Sequence, residues 1–151
     1  MRTLAIIPCG KKKIWDKYTN LGPVNVNEAY IGTYHRLSKQ YANQFCDQWV
    51  VLSGLHGYML PNEIVPANYD VTFNMKDKAE QIITLEQLNK QVKRKKLDCF
   101  DRVIALTGKK HMPYIERSIP QAVEYPLLGT KGIGEIQQKL KRAIQMNTPL
   151  L

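Results

Sequence analysis

The sequence predicts a three-layer α/β domain whose central sheet is mostly parallel. Short apolar runs of the kind that form buried strands occupy residues 4–7, 49–52 and 103–106. Segments with the apolar spacing of helices separate these runs, as is typical of chains that build parallel sheets. With 151 residues the chain has the length of one domain, so we expect residues 1–151 to form a single α/β unit.

The first strand ends at Pro8-Cys9-Gly10, and a run of lysines, residues 11–13, follows directly. Pro8 cannot donate to a central ladder and Gly10 permits backbone angles that other residues avoid, so the strand stops here. Ligands of open α/β sheets bind just beyond the carboxyl ends of the strands. Cys9, the Gly10 amide and Lys13 therefore indicate an anion or nucleotide site, although the Walker motif G-x-x-x-x-G-K-[ST] is absent. The alternative is a basic surface turn that contains a small buried cysteine.

A loop with two aromatic residues and then a helix are expected after the lysines. Trp15 and Tyr18 lie in a segment that is too long for a tight turn, and it forms either a lid over a ligand or a surface loop with its own hydrophobic cluster. Over residues 28–45, apolar side chains recur at three- and four-residue spacing, which predicts an amphipathic helix. Gly32 interrupts this helix, and His35 is expected on its surface.

The second strand ends in another glycine-rich turn, which supplies the hydroxyl of Ser53, the imidazole of His56 and the backbone amide of Gly57. His56 titrates near neutral pH, so it can serve as a general acid, a general base or a donor to a base edge. Hydrogen bonding within the loop is the alternative role of Ser53 and His56. Residues 64–73 are predicted to form an extended crossing segment, and Asp70 within it is expected to close the same site.

The third strand also ends in glycine and cationic residues, of which Gly108 and Lys109 are candidates to hold an anion. A helix predicted over residues 76–96 becomes strongly basic in its last turns. Cations there suit the helix dipole, so a solvated helix end and a contact with nucleic-acid phosphate are both open interpretations. The basic residues in question are Lys93, Arg94 and Lys96.

The last part of the chain is predicted to form a short helix at residues 112–118, a fourth strand at 122–125 and a final helix at 133–145. Gly132-Ile133-Gly134 partly matches a helix-hairpin-helix turn, in which backbone amides face a DNA phosphate. Any junction between a loop and a helix can carry Gly-x-Gly, so an ordinary turn is the alternative. Gly132, Gly134 and the neighbouring Lys131 are therefore candidates for nucleic-acid binding.

The composition favours a polyanionic partner. The net charge is +9 and the sequence pI is about 9.5, which favours DNA or RNA, although many basic proteins bind neither. Three cysteines, Cys9, Cys46 and Cys99, form neither a disulfide framework nor a zinc pattern, so we expect a reduced, cytoplasmic protein without a metal or other cofactor. No apolar run is long enough to span a bilayer and no signal peptide is visible, so no membrane partner is expected. The oligomeric state is left open.

The order of several short motifs resembles the DUF6884 family, a bacterial and phage family of uncharacterised proteins that looks distantly related to the YaaA-like superfamily. The resemblance covers nearly the whole chain. Its motifs are Pro8-Cys9-Gly10 with Lys13, Ala29-Tyr30-x-Gly32, Leu52-Ser53-x-x-x-Gly57, Tyr69-Asp70, Leu106-x-Gly108 and Pro126-Leu127-x-Gly129. Pro8-Cys9 followed by lysines is also similar to the Pro-Cys-Ser-Lys-Lys segment of archaeosine synthase, which works on a 7-deazaguanine base in RNA, but Gly10 stands where that enzyme has serine. The resemblance implies a nucleic-acid or nucleobase setting and supplies no particular reaction.

Functions of different classes fit these features. The first is an enzyme that acts on a nucleobase or nucleotide, by N-glycosidic cleavage or base exchange, with Cys9 as polar wall or as a nucleophile whose thiolate the lysines favour. In this hypothesis Lys13 and Lys109 hold phosphate. The candidates that move protons or stack on a flipped base are His56, Asp70 and Trp15. The alternatives are a DNA-binding protein without catalysis and a binder of a free nucleotide signal. Cys9→Ala separates the first two, since it should remove turnover by an enzyme but leave simple binding intact.

Overall fold

The structure, a computed structural model, describes residues 1–150. Within these residues the strands form two sheets and are β1 (Thr3–Pro8), β2 (Val24–Asn25), β3 (Gln48–Ser53), β4 (Gly57–Met59), β5 (Ile64–Val65), β6 (Arg102–Ala105) and β7 (Val123–Glu124). The α-helices are α1 (Val26–Ala29), α2 (Thr33–Phe45), α3 (Leu85–Arg94), α4 (Met112–Ser118) and α5 (Ile133–Met146). Short 3-10 turns lie at Ile14–Asp16, Ala79–Gln81, Leu97–Cys99 and Lys109–His111. Over residues 1–150 no helix has both the length and the apolar character that a membrane crossing requires.

The centre of the main sheet is β1, which pairs in parallel with β3 on one side and with β6 on the other. The full strand order is β4-β3-β1-β6-β7, in which β7 is parallel to β6 and β4 is antiparallel to β3. The predicted mostly parallel sheet, with three parallel strands at its centre, is therefore confirmed. A second sheet consists of the antiparallel pair β2 and β5.

Helices cover both faces of the main sheet because side chains alternate along its strands. Ala5 and Ile7 of β1 pack into the hydrophobic cluster that includes residues of α2 and α5. Leu4 and Ile6 of the same strand pack on the opposite face, with residues of α3 and α4. All four side chains are fully buried, and each large aliphatic one stabilises the fold by about 1.5–3 kcal/mol. The three-layer α/β prediction is confirmed.

The chain between β2 and β3 differs from the prediction of one helix over residues 28–45. Tyr30 separates α1 from α2, has extended backbone angles and forms an antiparallel bridge with Lys13. Gly32, which interrupts the apolar pattern, is the N-cap residue of α2. The prediction of a continuous helix is wrong because this pairing, which ties the segment after β1 to the start of α2, overrides the local helical spacing.

The helix predicted over residues 76–96 is also shorter in the structure, since α3 begins at Leu85. Thr84 precedes it and accepts a hydrogen bond from the Gln87 amide at 3.1 Å, while the Gln87 side chain accepts one from the Thr84 amide at 3.0 Å. This capping box fixes the first residue of the helix. The predicted helices at residues 112–118 and 133–145 correspond closely to α4 and α5.

Candidate active site at the carboxyl edge of the sheet

The carboxyl ends of β3, β1 and β6 lie at one edge of the main sheet, because these strands are parallel neighbours. We call this edge the carboxyl edge. It brings Cys9, Ser53 and Gly108 together from three distant parts of the sequence. Gly10 has a φ of +79°, a left-handed conformation that glycine adopts without strain, and it turns the chain away from β1.

Lys13 is buried at the carboxyl edge, with only 3% of its surface exposed. Its ammonium donates to the Lys11 carbonyl at 3.1 Å and lies 4.5 Å from the centroid of the Tyr69 ring and 6.0 Å from that of Tyr30. Among residues 1–150 no carboxylate oxygen comes within 4.0 Å of it. Burial is the largest influence on Lys13 and lowers its pKa, which favours the neutral amine more than in a solvated lysine.

The tyrosines beside Lys13 form a chain of hydroxyl groups that reaches β3. The Tyr30 and Tyr69 hydroxyls are hydrogen-bonded to each other, and the Tyr69 hydroxyl lies 2.9 Å from the hydroxyl of Ser53. Ser53 is fully buried and also accepts hydrogen bonds from the amides of Leu55 and His56, at 3.2 and 3.1 Å. Burial raises the pKa of both tyrosines, so both stay protonated at neutral pH.

Cys9 lies in the same cluster but is protected from solvent, with 8% of its surface exposed. Burial raises the pKa of its thiol, and the positive charges of Lys13 and Lys110 offset this only in part. The lysines act in the expected direction, but burial outweighs their charge, so the Cys9 thiolate is disfavoured. A neutral thiol in this position forms a polar wall, which is the other role predicted for it, and it is a weak nucleophile.

His56 and Asp70 approach the cluster from its outer side. The His56 ring meets the Tyr69 ring edge-on, 4.9 Å between centroids, and burial lowers the pKa of His56. Its Nε2 atom is buried and has no hydrogen-bond partner in the part of the chain described. Asp70 is exposed, and its charge acts on Lys13. A cavity of about 320 Å³ opens beside Tyr69; it is lined by Lys11, Asp16, Asn68, Tyr69 and Asp70.

Gly57 and Trp15, which the sequence predicts to bind a ligand, both take part in packing. Gly57, with a φ of +73°, begins β4, and a side chain there would lie 2.2 Å from Oε1 of Gln91. The Gln91 side chain accepts from the Tyr58 amide at 2.8 Å and fixes this hairpin, so the glycine serves packing. Trp15 is 6% exposed and its indole N–H donates to the Leu21 carbonyl at 2.9 Å, so it belongs to the core under its loop and cannot stack on a base.

The residues predicted to contact nucleic-acid phosphates outside the strand ends do not form one surface. Lys93 and Arg94 end α3 on one face of the sheet, and Lys96 follows in the connection to β6. Lys131, Gly132 and Gly134 lie at the start of α5, which packs with α2 on the other face. The C-terminal end of α5 lies beside that of α2, where Gln44 donates to Asn147 at 2.7 Å. Because α2 ends just before β3 begins, the first residues of α5 point towards the opposite, carboxyl edge.

Sequence reasoning missed Tyr30 and Tyr69 as members of the site. Both occur in the motifs that resemble the family, but the spacing of Tyr30 is typical of a helix core, and Tyr69 lies in a segment without regular pattern. His35, expected on the helix surface, is in fact 1% exposed. Its Nδ1 donates to the Pro8 carbonyl at 2.8 Å and steadies the end of β1, and burial lowers its pKa to about 4, so the ring is neutral.

Comparisons with known proteins place the chain among uncharacterised relatives. A family model described as "Family of unknown function (DUF6884)" matches residues 4–142. The uncharacterized protein YfjM of Bacillus subtilis (strain 168) is 40% identical over 147 residues, which cover 96% of this chain and 97% of that protein. No solved structure matches the chain. Within residues 1–150 no three His, Cys, Asp or Glu side chains are grouped so that they could hold a metal ion.

Proposed function

Because the chain belongs to the DUF6884 family, whose function is unknown, we propose its function from the site: it is an enzyme that acts on a nucleobase or nucleotide at the carboxyl edge, with Lys13 as the reacting amine. The observation that carries this proposal is the burial of the Lys13 ammonium at a strand end without a carboxylate within 4.0 Å among residues 1–150. Lysine is rarely buried in this way unless it is paired, since desolvation of its charge is unfavourable.

The surroundings of Lys13 suit a nucleophile. A desolvated lysine with a lowered pKa carries more of the neutral amine, and the lone pair of that amine is what attacks an electrophilic carbon. The Tyr69 ring faces the amine without fixing a proton on it, as a carboxylate would. Cys9 remains a neutral thiol, so the roles are exchanged relative to the sequence prediction: Lys13 reacts and Cys9 forms part of the wall.

A group of exposed lysines follows the ends of β1 and β6 and supports a phosphate-bearing substrate. We call this group the lysine rim. Its members, which follow β1 and β6, are Lys11, Lys12, Lys17, Lys109 and Lys110. None of them forms an ion pair in the described residues, so their charge is available to an anionic ligand. Clustered unpaired cations attract nucleic acid and speed its association.

N-glycosidic cleavage or base exchange is the reaction that we propose for this amine. The Lys13 nitrogen forms a bond to C1′ of the nucleotide and loses a proton, while the bond from C1′ to the base breaks and its electron pair leaves with the base. The departing base takes up a proton, for which the neutral Tyr69 hydroxyl is a nearby donor. Water or a second base then displaces Lys13 from C1′. His56, whose lowered pKa keeps it neutral, accepts the proton that Lys13 loses, and this proton restores the hydroxyl of Tyr69, whose ring His56 contacts.

The test compares Lys13→Met with Lys93→Met, which changes an exposed lysine at the end of α3, away from the carboxyl edge. Short single- and double-stranded DNA and RNA oligonucleotides are incubated with each protein, and released bases are quantified by mass spectrometry. We expect release by the wild type, a loss of about 100-fold or more in Lys13→Met and little change in Lys93→Met. Binding without release by the wild type would favour the non-catalytic alternatives, and unchanged release by Lys13→Met would contradict the role of the amine.

A further inference from the structure

Two buried polar side chains in the turn after β6 have atoms without a hydrogen-bond partner among the residues described. They are the hydroxyl of Thr107 and Nδ1 of His111, and these residues are only 7% and 4% exposed. Buried polar atoms nearly always have a partner in folded proteins, because an unpaired one destabilises the fold. Two such atoms in one turn leave hydrogen-bonding capacity that a partner from outside the chain can use.

This turn lies directly beside the end of β1. Ala105 pairs with Ile6 in parallel, and the same register continued places Thr107 next to Pro8. Gly108 follows Thr107 and is exposed, and outside its immediate neighbours no described atom lies within 4 Å of the position that a side chain would occupy. The turn is therefore open to a ligand at Gly108, beside the end of β1.

The two side chains are uncharged near neutral pH. Burial lowers the pKa of His111 to about 4, and the nearby Lys110 acts in the same direction. The Phe73 ring meets the imidazole edge-on, 5.4 Å between centroids, and limits its orientation. A hydroxyl and a neutral imidazole can each donate or accept a hydrogen bond, which suits an uncharged polar group better than a phosphate.

The turn and the lysine site occupy opposite sides of the same edge. Phe73 belongs to the hydrophobic cluster of the α3 and α4 face, whereas Tyr30 and Tyr69 belong to the cluster of the α2 and α5 face or pack against it. A ligand that spans the carboxyl edge thus meets a cationic, tyrosine-lined side and an uncharged side. Nucleotides have the same division, with a charged phosphate and a base whose edge is uncharged.

We infer that Thr107 and His111 bind the uncharged hydrogen-bonding edge of a nucleobase, while the Lys13 side of the carboxyl edge receives the sugar and phosphate. This inference rests on the proposed function, since it assigns the orientation of the ligand in the same site. The turn after β6 is then the part of the protein that distinguishes one base from another.

Thr107→Val tests the inference because valine has the shape of threonine without its hydroxyl. The probes are the common nucleoside 5′-monophosphates and ribose 5-phosphate, which lacks a base, and their affinities are measured by calorimetry. We expect wild type to bind at least one nucleotide more tightly than ribose 5-phosphate, and Thr107→Val to weaken that nucleotide about tenfold while ribose 5-phosphate is unaffected. Thr107→Ser, which keeps the hydroxyl, should retain most of the affinity.

Thermal unfolding of the free variants separates this role from a structural one. Removal of an unpaired buried hydroxyl should leave the melting temperature of Thr107→Val unchanged or raised. Ser38→Ala is the matched control, because the Ser38 hydroxyl is also buried and unpaired in the described residues but lies on α2; it should not change binding. A lowered melting temperature in Thr107→Val, or unchanged nucleotide affinity, would overturn the inference.

The failure of this inference and that of the proposed function give different results. If wild type binds ribose 5-phosphate as tightly as every nucleotide, the base is not recognised and the inference is wrong, while the proposed function stands. If wild type binds neither these probes nor oligonucleotides, the proposed function fails and the inference falls with it.

Discussion

The ammonium of Lys13 lies 4.5 Å from the centroid of the Tyr69 ring, so the cation that follows β1 is held against a ring whose hydroxyl reaches Ser53 at the end of β3. The electron-rich face of the ring attracts the ammonium but does not bind its proton as a carboxylate would. This contact joins two strand ends and keeps a buried lysine in place without a carboxylate beside its amine.

Tyr69→Phe keeps the ring against Lys13 and removes only the hydroxyl that links Tyr30 to Ser53. We expect the free energy of unfolding to fall by about 1–2 kcal/mol, because buried hydroxyl groups lose a partner. Urea denaturation measures the change, and Tyr18→Phe is the control, since Tyr18 is 53% exposed and its hydroxyl is not part of this network. Equal stability of Tyr69→Phe and wild type would show that the hydroxyl chain contributes nothing.

Much of the site can be predicted because its residues follow apolar strands directly. Lys13, Ser53 and His56 are found in this way, since a buried parallel strand followed by glycine and polar residues is a local pattern. The pairing of Lys13 with Tyr30 joins segments with no shared local pattern, so the sequence predicts neither the break in the helix nor the role of Tyr30.

Packing between distant segments also decides what surrounds residues that the sequence places at the ligand. Gly57 is predicted to bind a ligand, but Gln91 of α3 lies where its side chain would be, and nothing near Gly57 in the sequence indicates this. The acidity of Cys9 is predicted from neighbouring lysines, whereas its burial depends on the whole cluster and outweighs their charge. Burial of a single side chain is therefore the property that the sequence predicts least well.

Stability should fall in mild acid because of two buried histidines. Burial lowers the pKa of His35 and His111 to about 4, below the ordinary value of 6.5. Between these values the unfolded chain binds more protons than the folded protein, so the free energy of unfolding is highest above pH 6.5 and decreases as the pH falls towards 4. Each histidine contributes a slope of up to about 1.4 kcal/mol per pH unit.

Urea denaturation at several pH values in this window measures the slope for wild type and for His111→Leu. The variant lacks one of the two buried histidines. The slope of its free energy of unfolding against pH should therefore be smaller by up to about 1.4 kcal/mol per pH unit, which corresponds to one proton. The carboxylates are the same in both proteins, and their contribution cancels in the comparison. Identical slopes would mean that His111 is not held neutral by burial.

The lysine rim should dominate the binding of nucleic acid. Replacing Lys109 and Lys110 by glutamine should weaken single-stranded DNA binding and reduce the slope of log affinity against log salt by about 0.7 for each phosphate that the protein no longer neutralises. The same change at Lys93 and Arg94, which lie on the other side of the domain at the end of α3, is the charge-matched control and should have little effect. A larger effect of the α3 pair would favour a DNA-binding surface away from the carboxyl edge.

The central claim, that Lys13 is the reacting amine, is tested most directly by trapping its covalent intermediate. If the amine displaces a base from deoxyribose, the sugar attached to Lys13 can open to an imine, which sodium cyanoborohydride reduces by hydride transfer to a stable amine. Single-stranded DNA is incubated with the protein and this reductant, and the modified residue is located by mass spectrometry of peptide fragments. We expect one adduct, on Lys13, that persists in Lys93→Met and is absent from Lys13→Met. Base release without any adduct, or an adduct on Cys9 or an exposed lysine, would contradict the role of the Lys13 amine.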